Sequence, residues 1–214
     1  LNGGAGDDTL SASGSKGNNL LSGGDGNDSL DVSGYNNGFD SRSTGNNTLN
    51  GGAGDDSLSA SGSTGDNLLF GGDGNDYISA SSATGKNTLY GGNGNDILTG
   101  GNGNDTLYGG TGTDTFAFNS YHEGIDRLYD FNATNELIQV SAAGFGGGLS
   151  IGSLQKSQFT IGTSATTSNQ RFIYDFSTGG LFFDQDGSAA GFTQVKFAQL
   201  SAGLSLTKNN FVIV

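Results

Sequence analysis

The side chains in this sequence that could do chemistry are aspartates held at one place in a repeated unit of nine residues. Residues 91–117, GGNGNDILTGGNGNDTLYGGTGTDTFA, read three times as Gly-Gly-x-Gly-x-Asp-x-apolar-x. Full copies begin at Gly3, Gly23, Gly51, Gly71, Gly91, Gly100 and Gly109. Each copy therefore joins a glycine-rich half that predicts a turn to an aspartate at position 6 and one apolar residue at position 8.

Degenerate units lie between the full copies and carry asparagine at position 6. They are GSKGNNLLS (14–22), RSTGNNTLN (42–50), GSTGDNLLF (62–70) and SATGKNTLY (82–90). The stretch 32–41 is an insertion in one such turn, and YHEGIDRLY (121–129) is a last degenerate unit that restores Asp at position 6. This alternation predicts coils of two nonapeptides each.

The predicted fold is all-β, a parallel β-roll over residues 1–117 followed by a β-rich capping domain over 118–214. Six glycine-rich residues reverse the chain and three form a strand whose middle residue points inward. One unit is too small to bury anything alone, so the units must stack. The expected core column is Leu10, Leu21, Leu30, Leu49, Leu58, Leu69, Ile78, Leu89, Leu98, Leu107 and Phe116, with Ala12, Ala60 and Ala80 on the same face.

Stacking sorts the turns onto two edges. The first edge collects the turns that begin at residues 3, 23, 51, 71, 91 and 109, and the second collects those at 14, 42, 62, 82, 100 and 121. Neighbouring coils lie about 4.8 Å apart, so the first-edge aspartates would lie one strand spacing from each other. At this distance, two carboxylates repel each other strongly unless a cation lies between them.

Calcium is the cation that suits this arrangement. It takes six to eight carboxylate and carbonyl oxygens, whereas magnesium keeps its waters and fits an all-protein cage poorly. Glycine turns can aim carbonyls at an ion because glycine reaches positive φ at little cost. Zinc would need histidine or cysteine, and the chain has one His and no Cys.

Charge and composition narrow the function classes further. The chain carries 21 acidic and 8 basic residues, a net charge of −13, which argues against nucleic acid and anionic membranes as partners. Residues 1–117 hold 14 of the acids and 3 of the bases, so the charge is concentrated in the repeat. The absence of cysteine excludes disulfides, and no apolar run approaches a membrane span.

The nonapeptides resemble the repeats-in-toxin (RTX) family, whose units fold as a calcium-loaded parallel β-roll. The resemblance covers residues 1–131. It implies that one turn gives its Asp and the carbonyls at positions 1 and 3, and that the next turn on that edge gives its Asp and carbonyls 2 and 4. Five sites follow on the first edge and one more, between Asp105 and Asp126, on the second, with about five to seven ions in all.

The metal-site residues implied in this way fall into two groups. The carboxylates are Asp8, Asp28, Asp56, Asp76, Asp96, Asp105, Asp114, Asp126 and Asp130. The turn glycines are Gly3, Gly4, Gly6, Gly23, Gly24, Gly26, Gly51, Gly52, Gly54, Gly71, Gly72, Gly74, Gly91, Gly92, Gly94, Gly109, Gly110 and Gly112. For Asp130 the alternative is a strand-end aspartate that caps backbone.

The asparagine turns depart from the family pattern. Asn19, Asn47, Asn67 and Asn87 offer a neutral oxygen, and their turns lack the double glycine. We expect this part of the second edge to be free of metal and its asparagines to form a hydrogen-bonded ladder. The alternative is weak calcium binding.

The C-terminal part is similar to domains that follow such repeats in exported proteins. DRLYDF (126–131) resembles the segment after the last repeat, and FIYDFSTGGLFFDQDG (172–187) predicts two strands around a Ser-Thr-Gly-Gly turn. The resemblance implies type I secretion and an extracellular or cell-surface location in a Gram-negative-type bacterium. The exporter would be a transient partner, and the acidic repeat would fold only when it meets extracellular calcium.

No catalytic constellation emerges. GLSIG (148–152) matches Gly-x-Ser-x-Gly, but the only histidine, His122, lies upstream of the serine, and no strand-turn-helix context surrounds it. His122 also lacks the second histidine of a zinc motif. In DQDG (184–187) the glycine is misplaced for an EF-hand and no glutamate closes the loop. The chain itself is therefore predicted not to be an enzyme.

Three roles remain open for the protein that contains this chain. One is a calcium-dependent folding and secretion module; another is the tail of an exported protease, lipase, polysaccharide lyase or epimerase; the third is part of an adhesin, surface layer or fibril. Because Leu1-Asn2 matches positions 8 and 9 of a unit, we expect the parent protein to begin earlier. Polysaccharide or a second copy of the chain are candidate partners, with Tyr77, Tyr90 and Tyr108 either as sugar platforms or as cross-strand packing.

Overall fold

Two sheets form a roll in which the strands of the nonapeptides pair in parallel. The computed structural model describes residues 1–36 and 40–214, and the bounds below refer to those residues. The first sheet has the order β1 (Asn2–Ala5), β3 (Leu20–Asp25), β7 (Thr48–Ala53), β9 (Leu68–Asp73), β11 (Thr88–Asn93), β13 (Thr106–Thr111), β15 (Asp126–Leu128), β21 (Val195–Gln199), β20 (Gly180–Phe183), β19 (Phe172–Asp175) and β18 (Phe159–Ile161).

The second sheet faces the first across the leucine column. Its order is β2 (Thr9–Ser11), β4 (Ser29–Asp31), β8 (Ser57–Ser59), β10 (Tyr77–Ser79), β12 (Ile97–Thr99), β14 (Thr115–Phe118), β16 (Leu137–Val140), β22 (Phe211–Ile213) and β17 (Gly152–Ser153). The insertion at 32–41 forms a small antiparallel pair, β5 (Tyr35–Asn36) with β6 (Asp40–Ser41), and its residues 37–39 lie outside the described part. The short helices are α1 (Ala142–Phe145) and the 3₁₀ turns Lys156–Gln158 and Lys208–Asn210.

The register confirms the predicted parallel β-roll with two nonapeptides per coil. Leu69 pairs with Leu49 and Leu89 in the first sheet, and Ile78 pairs with Leu58 and Leu98 in the second. The position-8 side chains are almost fully buried, as are Ala60 and Ala80, while Ala12 packs against the core from a partly exposed position. The core is therefore one residue wide on each sheet.

The strands of the first sheet are longer than the three residues expected. The strands β3, β7, β9, β11 and β13 have six residues each, because they continue from positions 7–9 of one unit into positions 1–3 of the following unit. The Gly-Gly pair is thus part of the strand rather than of the turn. In the second sheet β2, β4 and β8 have the expected three residues.

Both sheets continue from the roll into the C-terminal region. β15, which belongs to the unit at 121–129, pairs in parallel with β13 and with β21, and β16 pairs in parallel with β14 and β22. The predicted hairpin is confirmed as the antiparallel pair β19–β20. The division between residues 117 and 118, which falls within β14, stays a prediction.

An aromatic cluster fills the C-terminal region. Phe145 lies 5.1 and 5.2 Å, centre to centre, from the rings of Phe183 and Phe197, both edge-on. The Tyr174 hydroxyl donates to the Ser201 carbonyl at 2.7 Å and accepts from the Leu204 amide. Edge-on ring pairs add to the stabilisation from burial, so this region has a core of its own beside the leucine column.

Candidate metal centre

The first-edge aspartates form one continuous column. Oδ1 of each aspartate accepts a hydrogen bond from the backbone N–H of the aspartate one coil earlier, from Asp8→Asp28 at 2.8 Å to Asp96→Asp114 at 2.9 Å. The intermediate bonds are Asp28→Asp56, Asp56→Asp76 and Asp76→Asp96. These backbone hydrogen bonds fix the orientation of each carboxylate relative to the coil before it.

The second oxygen of each of these carboxylates is buried and has no hydrogen-bond partner. Within the described residues, this applies to Oδ2 of Asp8, Asp28, Asp56, Asp76, Asp96 and Asp114, and on the second edge to Oδ2 of Asp105. A buried, unpaired carboxylate oxygen is costly in free energy, and such groups are normally paired or coordinate a metal. The column therefore has unsatisfied acceptor capacity at one oxygen per turn.

Glycine at position 1 leaves the space over each free oxygen. A Cβ on Gly23 would lie 2.0 Å from Asp28 Oδ2 and 2.6 Å from the carbonyl oxygen of Gly51 on the next coil. The same arrangement recurs at Gly51, Gly71 and Gly91. A carboxylate oxygen and a carbonyl oxygen of the next turn thus converge on a cradle that any side chain would fill.

Glycines at positions 2 and 4 let the carbonyls stack along the edge. Gly52 and Gly54 have φ of 120° and 124°, and a Cβ on them would meet the carbonyl oxygens of Gly24 and Gly26 at 2.1 and 2.4 Å. Gly72, Gly74, Gly92 and Gly94 repeat this geometry. These are oxygens of the kind calcium prefers.

The electrostatics of the column disfavour charge in the absence of a cation. Burial, followed by the charges of Asp96 and Asp56, raises the pKa of Asp76 to about 7, against the backbone hydrogen bond from Asp56 that lowers it. Burial and the charge of Asp114 likewise raise the pKa of Asp96 to about 6. A divalent cation would reverse this, because a nearby positive charge favours the ionised carboxylate.

On the second edge the predicted asparagine ladder is confirmed. Each Nδ2 donates to the next Oδ1, from Asn19→Asn47 and Asn47→Asn67 at 2.8 Å to Asn67→Asn87 at 2.9 Å. Each also donates to the glycine carbonyl of its own turn, as Asn47 does to Gly45 at 2.8 Å. The amide nitrogen of each asparagine occupies the place that the unpaired Oδ2 has on the first edge. The asparagine turns of the second edge therefore satisfy the hydrogen bonds of their own side chains.

The ladder ends where aspartate returns. Asp105 Oδ1 accepts from the N–H of Asn87, and Asp126 Oδ1 accepts from the N–H of Asp105 at 3.0 Å. A Cβ on Gly100 would lie 2.8 Å from Asp126 Oδ2 and 2.9 Å from Asp105 Oδ2, so oxygens of both aspartates meet over this glycine. Burial raises the pKa of Asp105 to about 7 and that of Asp126 well above its usual value. The two carboxylates therefore lie together at the place where the family resemblance implies a second-edge site.

Asp130 has a different environment from the other predicted ligands. Its Oδ1 and Oδ2 accept from the backbone N–H groups of Gly109 and Gly110 at 2.9 and 3.0 Å. Asp130 therefore caps two backbone N–H groups of β13, in line with the alternative interpretation of this residue.

Position 5 carries a second polar ladder that the sequence reasoning missed. Asp7, Asn27, Asp55, Asn75 and Asn95 each accept, through Oδ1, the N–H of the residue at the same position on the next coil, at 2.6–2.9 Å. The signal was present, because position 5 is Asp or Asn in every full copy except the one that begins at Gly109.

Other candidate groups are not assembled into a site. Within residues 1–36 and 40–214, no three His, Cys, Asp or Glu side chains are grouped to hold a metal, so the candidate sites combine paired carboxylates with backbone carbonyls. Ser150 is exposed between α1 and β17 rather than on a strand-turn-helix elbow. The rings of Phe70, Tyr90, Tyr108 and Tyr129 stack at 4.6–4.9 Å, so Tyr90 and Tyr108 pack across strands.

Fold and site together define a parallel β-roll built from nonapeptides with an acidic turn edge. The family model for the RTX calcium-binding nonapeptide repeat (4 copies) matches residues 1–14, 11–34, 43–62, 59–83 and 81–116, just over half of the chain. The chain belongs to this family of calcium-binding repeats.

One solved structure similar to this chain is the solution structure of the AlgE6R3 subunit from the Azotobacter vinelandii mannuronan C5-epimerase. The sequence identity is 27%, the match covers 76% of this chain and 80% of that one, and the TM-score is 0.36. No curated protein matches the chain. In the described part of the chain, no helix has the length and apolar character needed to cross a membrane.

Proposed function

We propose that this chain is a calcium-dependent folding module, in which ions between successive coils of the first edge join neighbouring turns. The observation that carries the proposal is the contrast between the edges. Where position 6 is Asn, the side-chain amide is fully hydrogen-bonded; where it is Asp, a buried Oδ2 has no partner. The chain thus provides acceptor oxygens for a cation on one edge and needs none on the asparagine part of the other.

Each ion would be held by the chain through two coils. Between the turns at 51 and 71, for example, the holders would be Asp56 Oδ2, Asp76 Oδ1 and glycine carbonyls such as that of Gly71. A bound calcium ion would supply positive charge that offsets carboxylate repulsion. The peptide hydrogen bonds orient the carboxylates, and the glycines keep side chains out of the cradle.

The calcium-free chain should be poorly folded, because repulsion within the column of buried carboxylates opposes stacking of the coils. The net charge of −13 adds a general repulsion. Calcium is scarce inside cells and abundant outside, so such a chain would remain extended during export and fold afterwards. We therefore infer an extracellular or cell-surface location and passage through a type I exporter, supported by the resemblance of residues 126–131 and 172–187 to secretion-associated C-terminal domains.

Which protein activity this roll accompanies is a separate question. The exported enzyme and the surface protein both remain alternatives, and more repeats of the same kind before residue 1 would favour the surface protein. The roll described here contributes binding of a cation and a folding switch in either case.

The first test is a calcium titration of the whole chain followed by far-ultraviolet circular dichroism. We expect a cooperative gain of β signal with calcium, reversed by a chelator, and no comparable change with magnesium at the same concentration. A chain that is fully folded in chelator, or that responds equally to magnesium, would contradict the proposal.

A further inference from the structure

The first-edge column does not end at the last nonapeptide. Leu137 pairs with Thr115 and Ile138 with Phe116, so β16 continues the register of the repeat. The Leu137 N–H donates to the Asp114 carbonyl at 2.9 Å, as the Thr115 N–H does to the Asp96 carbonyl at 2.8 Å. The residue in register with Asp114 is therefore Glu136, although its turn, DFNATNELI (130–138), contains no glycine.

Glu136 is placed like a position-6 aspartate in burial as well as in register. It is 3% exposed, and its Oε2 accepts the N–H of Asn132 at 2.8 Å. Burial, followed by the charges of Asp114 and Asp130, raises the pKa of Glu136 to about 7, against the backbone hydrogen bond from Asn132 that lowers it. A buried acid of this kind, next to another acid, needs a compensating partner.

Asp114 provides the complementary half of a site. It is 0% exposed, and its Oδ2 has no hydrogen-bond partner. This oxygen lies 2.4 Å from a Cβ position on Gly109, much as Asp28 Oδ2 lies 2.0 Å from the one on Gly23, where the Gly51 carbonyl of the next coil is also close. The next coil beyond Asp114 is the one that carries Glu136.

We propose that Asp114 and Glu136 hold a further calcium ion at the C-terminal end of the first edge, completed by backbone carbonyls and water. This site rests on the proposed function and adds a carboxylate that the nonapeptide pattern does not predict. Glutamate reaches further than aspartate, so it serves a turn that is built without glycine.

The site would couple the roll to the end of the chain. Asn210 Nδ2 donates to the carbonyls of Ala133 and Glu136 at 2.9 and 3.1 Å, and β22, which follows Asn210 directly, pairs with β16. An ion on Glu136 therefore stabilises the turn on which the C-terminal strand docks. Calcium binding in the roll would in this way order residues 130–138 and the last strand together.

The test compares E136Q with wild type and with D66N in the full chain. In E136Q an amide replaces the carboxylate, as asparagine does on the second edge, so the fold can persist without the ion. Asp66 is exposed on the second edge, and its Oδ1 accepts the Lys86 N–H at 2.7 Å, just as Asn46 Oδ1 accepts the Asp66 N–H at 2.9 Å. Asparagine therefore fits at this place in the repeat, and D66N removes the same charge without touching the first-edge column.

Calcium stoichiometry by isothermal titration and hydrogen exchange over residues 130–140 are the two readouts. We expect E136Q to bind one ion fewer than wild type and to lose calcium-dependent protection there, with D66N unchanged in both. An E136Q chain with the wild-type ion number and protection overturns this site alone. A wild-type chain that binds no calcium overturns the proposed function and this site together.

A conservative variant keeps the test decisive if E136Q does not fold. E136D retains a carboxylate but shortens it by one methylene, so we expect the full ion number with one site weakened about tenfold, corresponding to about 1.4 kcal/mol. An E136D chain that binds every ion with wild-type affinity contradicts the assignment of Glu136 as a ligand.

Discussion

At the scale of single residues, the difference between one carboxylate oxygen and one amide nitrogen decides what each turn can do. Asn67 Nδ2 donates to Ser63, Gly65 and Asn87, whereas Asp76 Oδ2 has no partner. The two side chains have the same shape, so the contrast arises from hydrogen-bonding chemistry alone. Exchanging them is therefore the most direct way to move or remove a site.

The double variant D76N/D96N should need more calcium to fold than wild type. Each change removes a charged ligand. For comparison, a hydrogen bond to a charged group contributes about 1.5–3 kcal/mol to the stability of a folded protein. We expect the calcium midpoint in circular dichroism to rise by roughly tenfold or more. D66N, which removes an exposed charge on the second edge, is the control, and an unchanged midpoint in D76N/D96N would argue against ions between the coils.

Acid should stabilise the calcium-free roll. The folded-state pKa values of Asp76 and Asp96, about 7 and about 6, lie above the ordinary 3.8, so the folded state binds protons more tightly than the unfolded state. This stabilisation is fully present below about pH 4 and is lost as the pH rises through 6 to 7.

In calcium-free buffer we therefore expect more β signal at pH 5 than at pH 8, and D76N/D96N should reduce the difference. In the presence of calcium we expect less β signal at pH 5 than at pH 8, because protons compete with the ion for the carboxylates. A calcium-free chain with the same or less β signal at pH 5 would contradict the burial of these groups as acids.

Glycine at position 1 should be irreplaceable where it faces a free carboxylate oxygen. A Cβ on Gly71 would lie 2.1 Å from Asp76 Oδ2 and 2.5 Å from the carbonyl of Gly91, so G71A must displace a ligand oxygen. Gly17 has no atom within 4 Å of its Cβ position. We expect G71A to lose calcium affinity in titration calorimetry and G17A to behave as wild type; equal affinities would contradict the cradle.

At the scale of elements, the strands are stabilised by stacking because none of them is long enough to bury a face alone. Adjacent residues of one strand show the consequence. Leu21 in β3 is 0% exposed, whereas its neighbour Leu20 is 63% exposed. Strand alternation, rather than hydrophobicity, selects the core residue.

Substitution at these two leucines should have very different effects. L21A leaves a cavity in a column one residue wide, and buried leucine-to-alanine changes cost about 2–5 kcal/mol. L20A removes an exposed side chain and should stay within about 0.5 kcal/mol of wild type. Thermal unfolding at saturating calcium measures both, and equal melting temperatures would contradict the parallel register.

At the scale of the whole molecule, both sheets run without interruption from the nonapeptides into the aromatic C-terminal region. β15 joins β13 to β21, and β16 joins β14 to β22. Folding of the roll and docking of the last strand are therefore expected to occur together rather than as independent events.

Chelation should expand the chain as a whole. A compact chain of this length has a radius of gyration of about 17 Å and an unfolded one about 50 Å. Small-angle X-ray scattering in calcium and in chelator should show a change in that direction, although an elongated roll will exceed the compact value. A radius that does not change on chelation would mean that the leucine column and aromatic core suffice without calcium.

The sequence by itself determined the repeat, the identity of the core residues and the contrast between aspartate and asparagine edges. These are readable because a nine-residue period places every side chain in a stack by local alternation alone. The asparagine ladder followed from the same logic, since stacked amides hydrogen-bond their equivalents. The position-5 ladder was readable too, but its regularity only gains meaning once the coils are aligned.

Only the tertiary structure decided how the C-terminal end of the roll is built and which carboxylate oxygens have hydrogen-bond partners. It showed that Gly-Gly lies within the strand, that Asp130 caps backbone, and that Glu136 stands in register with Asp114 in a turn without the motif. These features depend on which atoms meet across coils separated by about twenty residues, and no local pattern records that. The nine-residue period specifies that the coils stack, whereas the contacts at the end of the roll depend on how residues from different coils pack together.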